Sequence, residues 1–339
     1  MSKLRVNVVS ESEISVQGHG VHTAYEEMCR GLEARDDVVV TRGRFRERVD
    51  CDIIHLHTVG SRVWGKLLQP GPKVVVSAHV VPDSFIGSLI AAQLWRPLAK
   101  WYLRWFYNKA DLLLAVSAQT QRELQELGVT APIEVLHNSV DTARYQAVSP
   151  AVRQGIRRRY SIAKERFVVI GAGQVQPRKR VDLFVEAAKA LPDVTFVWVG
   201  GIPFGHLAAD YRDMERLMDE QLPNMVFTGM VELADMPSLY AMADLFWLPS
   251  EQETFGLVVV EAAAAGLPVL LRQSDDYTDT FGTDVRYGTD DTFVDDVRLI
   301  ATDAAVRQAL REGAGRLAAR FDSKAVIERL VELYRGLLR

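Results

Sequence analysis

Apolar runs of five or six residues recur along the chain, separated by stretches whose apolar positions return every three or four residues. Arg5–Val9, Asp52–Leu56, Lys73–Ser77 and Asp111–Val116 are such runs, with helical spacing over His22–Ala34 and Gln119–Leu127. An unbroken apolar run fits a strand covered on both faces, and helical spacing fits the element that covers it. The alternation stops at Tyr145-Gln-Ala-Val-Ser-Pro150, which reads as a turn, and resumes after a basic helix predicted over Val152–Tyr160. Phe167–Ala172 and Val194–Val199 are the next strands, with a helix over Val181–Ala190 between them. Val226–Thr228, Asp244–Leu248 and Pro268–Leu271 continue the series. The pattern predicts an α/β protein of two doubly wound, mostly parallel halves, 1–152 and 153–322. An amphipathic helix over 323–339 is expected to pack back on the first half. Ligands in such folds bind beyond the carboxyl ends of the strands, so a cleft between the halves is the expected active site.

Composition narrows the class. A chain of 339 residues suits two domains at ~150 residues each, and 48% hydrophobic residues supply their cores. With 25% charged residues and a formal net charge of -4, the chain is neither a disordered segment nor a general nucleic-acid binder. Cys29 and Cys51 are too few for a disulfide scaffold or a four-cysteine metal site, and they fit a reducing compartment. The opening MSKLRVNVVS reads as a strand without an apolar leader, and no uncharged apolar run reaches the ~18 residues of a spanning helix. A cytoplasmic protein without a membrane span is expected.

The densest chemistry lies in Pro249–Pro268, read as strand end, loop and helix. Glu253 stands in the loop, the helix is predicted to begin within Thr254–Leu257, and Glu261 lies eight residues after Glu253, about two turns on. A helix N-terminus offers unpaired N–H groups and a positive dipole end to an anion, and Gly256 lets a ligand approach the backbone. The two carboxylates can hold ligand hydroxyls; a plain helix cap with a second glutamate nearby fits the same residues. Gly171-Ala-Gly-Gln-Val-Gln-Pro-Arg-Lys-Arg180 follows a strand and opens a helix. Its three consecutive cations suit a diphosphate, or simply a solvated helix start. Gly18-His-Gly20 lacks the third glycine of a dinucleotide fingerprint, because Thr23 stands there. Asp50-Cys-Asp52 leads straight into a strand and is expected to make turn hydrogen bonds; no metal site is expected.

Glu253-x7-Glu261, set in Glu253-Thr-Phe-Gly-Leu-Val-Val-Val-Glu-Ala-Ala-Ala-Ala-Gly-Leu-Pro-Val269, resembles the donor-site signature of the family 4 retaining glycosyltransferases. Asp52-Ile-Ile-His-Leu-His57, Val135-Leu-His-Asn-Ser-Val-Asp141 and Ala243-Asp-Leu-Phe-Trp-Leu-Pro-Ser250 stand at the family's expected places, so the resemblance covers nearly the whole chain. It implies the GT-B fold, two Rossmann-like domains facing a cleft. By resemblance Glu253 meets the sugar hydroxyls and Glu261 the ribose of the nucleotide. The backbone of Thr254, Phe255, Gly256 and Leu257 would take the diphosphate, with Arg178 and Lys179. Gly18, Gly20 and Gly173 would form loops at the donor, Gly229 and Val231 would flank the base, and His79 would bond the sugar. The family's arginine directly after the glycine is Gln174 here, and Arg178 can supply the missing guanidinium.

Phe85–Ala110 is the second informative stretch. It carries Arg96, Lys100, Arg104 and Lys109 with no acid, and Trp95, Trp101 and Trp105 are half of the chain's six tryptophans. Arg96, Lys100 and Arg104 form one helical stripe, beside an apolar stripe of Leu94, Leu98, Trp101 and Trp105. Such a helix suits an anionic membrane surface; a buried aromatic face with cations reaching around it fits the spacing too. His79-x3-Asp83-Ser-Phe-Ile-Gly-Ser88 and Leu271-Arg-x4-Tyr277-x3-Phe281 are similar to bacterial diacylglycerol glucosyltransferases, which implies a lipid acceptor. The resemblance as a whole implies a retaining hexosyltransferase moving glucose from UDP-glucose to diacylglycerol or monoglycosyl-diacylglycerol. It would need no cofactor or metal and would sit peripherally on the inner face of the cell membrane. A family member with a soluble or polyprenyl-linked acceptor, or a sugar-nucleotide epimerase, shares the donor features.

Overall fold

The computed structural model describes residues 3–13, 20–81, 92–202, 211–220 and 222–339. Its elements fall into two compact units, one ending at Asp141 and taking back Phe321–Arg339, the other running Thr142–Arg320. The first unit holds β1 (Leu4–Val9), α1 (Gly20–Glu33), β2 (Val38–Arg42), β3 (Ile53–Leu56), α2 (Trp64–Leu67), β4 (Lys73–Ala78), α3 (Ala92–Tyr107), β5 (Leu112–Ala115), α4 (Ala118–Glu126) and β6 (Ile133–Val135). The second holds α5 (Thr142–Gln146), α6 (Pro150–Arg159), β7 (Phe167–Ala172), α7 (Val181–Ala190), β8 (Val194–Val199), α8 (Tyr211–Met218), β9 (Met225–Phe227) and α9 (Met236–Ala241). It continues through β10 (Leu245–Leu248), α10 (Leu257–Ala264), β11 (Val269–Arg272), α11 (Asp275–Phe281), β12 (Arg286–Gly288), α12 (Phe293–Thr302) and α13 (Ala304–Arg320). Helix α14 (Ser323–Leu337) then rejoins the first unit.

Among the described residues each unit carries one six-stranded sheet, ordered β2-β1-β3-β4-β5-β6 and β12-β11-β10-β7-β8-β9. Every pairing is parallel. Both are doubly wound, and the strand order reverses between β1 and β3 in one and between β7 and β10 in the other. In the first unit Tyr25, Cys29 and Leu32 of α1 and Ile327, Leu330, Val331 and Tyr334 of α14 cover one face of the sheet. Leu103, Phe106 and Tyr107 of α3 cover the other, with Leu124 of α4. Each such side chain taken fully out of water contributes roughly 1.5–3 kcal/mol, so α14 is part of the core that holds the first sheet.

The division between units lies at Asp141/Thr142 rather than after residue 152. Helix α6 is tied to the second unit by two guanidinium groups sharing one carboxylate: Arg153 and Arg157 each bond Asp244, at 2.7 and 2.8 Å. They also bond the carbonyls of Ala241, Met242 and Ala243. Among the described residues the side chains of Asp50 and Asp52 make no local turn bonds; both bind Arg5 of β1, Asp52 at 2.8 Å through guanidinium and backbone alike. Cross-strand pairing thus consumes the one Asp-x-Asp pattern of that region.

Candidate active site

In the second unit the loops after β7 and β10 emerge side by side at the point where the strand order reverses, the place where open parallel sheets present their crevice. After β7 the chain makes a tight turn at Pro177–Lys179 and Arg180 adopts a left-handed conformation, φ 50°, before α7 begins. That turn drives Lys179 inward, and its Nζ donates to Oε1 of Glu253 from the loop after β10. The side chains of Lys179 and Glu253 are only 7% and 11% exposed. Burial opposes the charge on Glu253, but Lys179 and then Arg178 outweigh it and hold the carboxyl below its ordinary value. Burial also pulls Lys179 down, against the raising effect of Glu253.

Backbone bonds lock the two loops together. Arg178 donates 2.8 Å to the carbonyl of Gln252, and the Glu251 N–H donates 2.8 Å back to the carbonyl of Arg178. Ser250, fully buried, holds its one hydroxyl proton between the carbonyls of Arg178 and Gln252, 3.2 and 3.1 Å away, and Tyr277 donates to the carbonyl of Ser250. Arg178 and Lys179 are therefore fixed relative to Glu253, as a two-cation, one-carboxylate cluster.

The glycines beside this cluster are set by close approach. Gly200, at φ 132°, has no room for a side chain: a Cβ there would stand 2.1 Å from the carbonyl oxygen of Gly173. Gly173 bonds Val199, Gly200 bonds Gly229, and Val175 bonds Gly201, so the ends of β7, β8 and β9 form one layer of backbone. Val231 follows, partly buried.

The helix of the paired glutamates starts at the last residue of its predicted span. Gly256 is its N-cap in a left-handed conformation, φ 81°, and α10 begins at Leu257, which leaves Thr254 and Phe255 in the loop. Glu261 thus lies about one turn inside α10. Phe255 and Leu257 are buried, Phe255 against Phe281, so their side chains are not available to a ligand. This helix start has no side-chain cap and no acid in its first turn, an arrangement that leaves its positive end to an anion. Glu261 is buried and accepts a 2.9 Å hydrogen bond from Tyr240 Oη, a partner that the spacing of the glutamates gives no hint of.

In the first unit His79 follows β4 directly, at the carboxyl edge of the sheet. It belongs to a buried histidine group: His57 Nδ1 lies 3.1 Å from His79 Nε2, and the ring of His55 is 4.7 Å from that of His57. Burial brings His79 down to about 4 and, with a contribution from His79, His55 down to about 3; His57 is likewise held well below its ordinary value. All three are neutral at pH 7. Gly20 starts α1 and is exposed; Gly18 lies outside the described residues.

Helix α3 is asymmetric. Leu103, Phe106 and Tyr107 are buried, whereas Trp101 and Leu98 are 64% and 56% exposed, and Lys100 and Arg104 are exposed beside them. Trp105 departs from the expected apolar stripe. It lies on the same side as Leu98, but Tyr102 and Trp64 cover it, with ring centroids 6.0 and 5.8 Å away. Trp64 and Leu68 are themselves exposed and extend the apolar surface beyond α3; their place at the start and just past the end of a short helix far from α3 in sequence hides them from a periodicity argument. The side chains of Trp95 and Arg96 lie outside the described residues. No described helix is long and apolar enough to cross a membrane.

Residues 152–325 match the family described as glycosyl transferases group 1, and residues 38–144 match glycosyltransferase family 4. An alpha-galactosylglucosyldiacylglycerol synthase of Streptococcus pneumoniae is 32% identical over 81% of this chain and 74% of its own. A processive diacylglycerol alpha-glucosyltransferase of Acholeplasma laidlawii is 27% identical over 81% of each. Among solved structures, Anabaena HepE in complex with UDP-glucose superposes with a TM-score of 0.78 at 19% identity, over 98% of this chain and 100% of the other. Sucrose-phosphate synthase from Thermosynechococcus elongatus gives 0.80 at 17%, over 99% of both. With the two parallel sheets, these likenesses give the fold as GT-B.

Proposed function

This chain belongs to the group 1 glycosyl transferases, and from that premise we propose that it transfers a hexose with retention from a nucleotide sugar, UDP-glucose, to a diacylglycerol-type lipid. The observation that carries the reading is the buried Lys179–Glu253 pair beside Arg178 and the uncapped start of α10. A diphosphate needs cations and backbone N–H groups, and a sugar needs a fixed carboxylate; here all of these stand on two adjacent loops.

In the proposed reaction the bond between the anomeric carbon and the phosphate oxygen breaks, and its electron pair stays on the phosphate. Arg178, Lys179 and the α10 N-terminus take up that growing negative charge, which is why the reading calls for no metal. The acceptor hydroxyl attacks from the face the nucleotide leaves, and its proton passes to the departing phosphate oxygen. Glu253 orients the sugar and is not the base. Glu261, held by Tyr240, takes the ribose; Gly229 and Val231 flank the base; His79 bonds a sugar hydroxyl. The names of the two glycolipid-synthesising relatives support a lipid acceptor, and the exposed Trp101, Leu98, Trp64 and Lys100 support a peripheral place on a membrane surface, which the reading puts on the inner face.

The test is product analysis by mass spectrometry, with UDP- and GDP-hexoses, diacylglycerol in anionic vesicles, chelator, and a Glu253→Gln control. One new glycolipid from one donor, unaffected by chelator, is expected. Slow donor hydrolysis without a lipid product overturns the lipid acceptor, and donor isomerisation without acceptor identifies an epimerase.

A further inference from the structure

The described contacts of His57 bear on which of its two ring nitrogens carries the proton. His57 Nε2 lies 3.1 Å from the thioether sulfur of Met28, and His57 Nδ1 lies 3.1 Å from His79 Nε2. A thioether can only accept a hydrogen bond, so the first contact needs a proton on His57 Nε2. The imidazole is neutral in this buried group, which leaves His57 Nδ1 as a bare acceptor. The second contact then needs the proton on His79 Nε2. The opposite assignment would turn the Nε2 lone pair of His57 onto the sulfur and lose that bond. Tyr25 packs edge-on against the His57 ring, centroids 5.5 Å apart, and helps hold it in place.

The outcome for His79 is a fixed tautomer. With Nε2 as the donor to His57, Nδ1 carries a lone pair, and among the described residues it has no hydrogen-bond partner. We propose that His57 is a positioning residue that holds His79 in its Nε2–H form, so that His79 Nδ1 accepts a hydrogen bond from a hydroxyl of the bound sugar. This rests on the reading above, in which His79 meets the donor sugar. His57 sits immediately after β3, beside the reversal of strand order between β1 and β3, and His79 immediately after β4. Two neighbouring strand ends therefore supply the sugar contact and the group that sets its polarity.

The experiment is 15N NMR of histidine-labelled full-length protein without substrate, which separates protonated from bare ring nitrogens; His79→Asn identifies the signals of His79. A bare Nδ1 and a protonated Nε2 at His79 are expected in the wild type. In His57→Phe, which keeps a ring but removes the acceptor, His79 should become a mixture of tautomers. In His57→Asn, whose side-chain oxygen can stand near the position of Nδ1, the wild-type form should return. Transfer should follow: kcat/KM lower by about 3- to 10-fold in His57→Phe, the worth of one hydrogen bond, and largely restored in His57→Asn. A wild-type His79 protonated at Nδ1, or an unchanged tautomer in His57→Phe, overturns the proposal. The wild-type spectrum alone decides if a variant does not fold. The spectrum needs no turnover, so loss of the glycosyl-transfer reading and loss of this inference are told apart.

Discussion

Lys179 donates to Glu253 across 74 positions of sequence, with both side chains nearly out of water. Removing the carboxylate does two things at once. Glu253→Ala would strand a buried ammonium and cost roughly 3–5 kcal/mol. Glu253→Gln keeps an acceptor for Lys179 and should cost about 1–3 kcal/mol, while lowering transfer by about 10²-fold or more through misplacement of the sugar. Transfer rates measured beside thermal unfolding check this; a Gln variant with near-normal turnover removes Glu253 from the reaction.

Gly200→Ala should be among the most damaging small changes in the second unit. A methyl group there meets the Gly173 carbonyl at 2.1 Å, and the φ of 132° is itself unfavourable for alanine. The two effects together should cost roughly 2–6 kcal/mol. Gly229→Ala is the control, with positive φ but open space, and should cost about 1 kcal/mol. Urea titrations of both variants give the comparison, and equal losses would mean that crowding at Gly200 relaxes freely.

Acid should weaken the first unit well before its carboxylates titrate. His79 falls from 6.5 to about 4 and His55 from 6.5 to about 3 on folding. A group with a lowered folded pKa binds more protons when unfolded, so stability drops as pH falls below 6.5 and levels off only below the folded value. Each histidine should cost about 2 kcal/mol between pH 7 and pH 5. Urea midpoints across that range should fall, and His79→Asn, which cannot titrate, should flatten the slope. A flat wild-type profile would mean that these rings take up protons while folded.

Replacing Trp101 and Leu98 by serine should leave stability within about 0.5 kcal/mol, since both are exposed and touch little of the core. Partition onto vesicles containing anionic lipid should fall by about 10- to 100-fold. Sedimentation with vesicles, at low and high salt, measures it. Undiminished binding would move the membrane surface away from α3.

The central strands were legible because a strand covered on both faces is apolar throughout: β7 and β8 and helix α7 fall at the expected residues, the others within a few positions. What escaped were edge strands. Val38–Arg42, Ile133–Val135 and Arg286–Gly288 each end a sheet, are only partly buried, and mix polar residues among apolar ones. The spacing of Glu253 and Glu261 and the cations at 178–180 were visible as pattern. Which groups they bond was not, because the partner of Glu253 is 74 residues away and Tyr240 lies on a different helix. That α10 starts at Leu257, and not earlier in the span Thr254–Leu257, follows from the left-handed Gly256, a backbone choice that its neighbours do not announce.

Helix α14 has a consequence for how the protein is made. Tyr334 bonds His55, and Ile327, Leu330 and Val331 cover the sheet of the first unit, yet the ribosome reaches them only after the whole of the second unit. Until then Leu4, Val6, Val8, Ile53 and Val75 lack the cover that α14 gives this face. The second unit can close as it emerges, whereas the first must wait with an oily flank in water. During that interval the nascent chain is a natural client for a chaperone, and shortening it by the length of α14 should yield aggregates in place of a stable fragment.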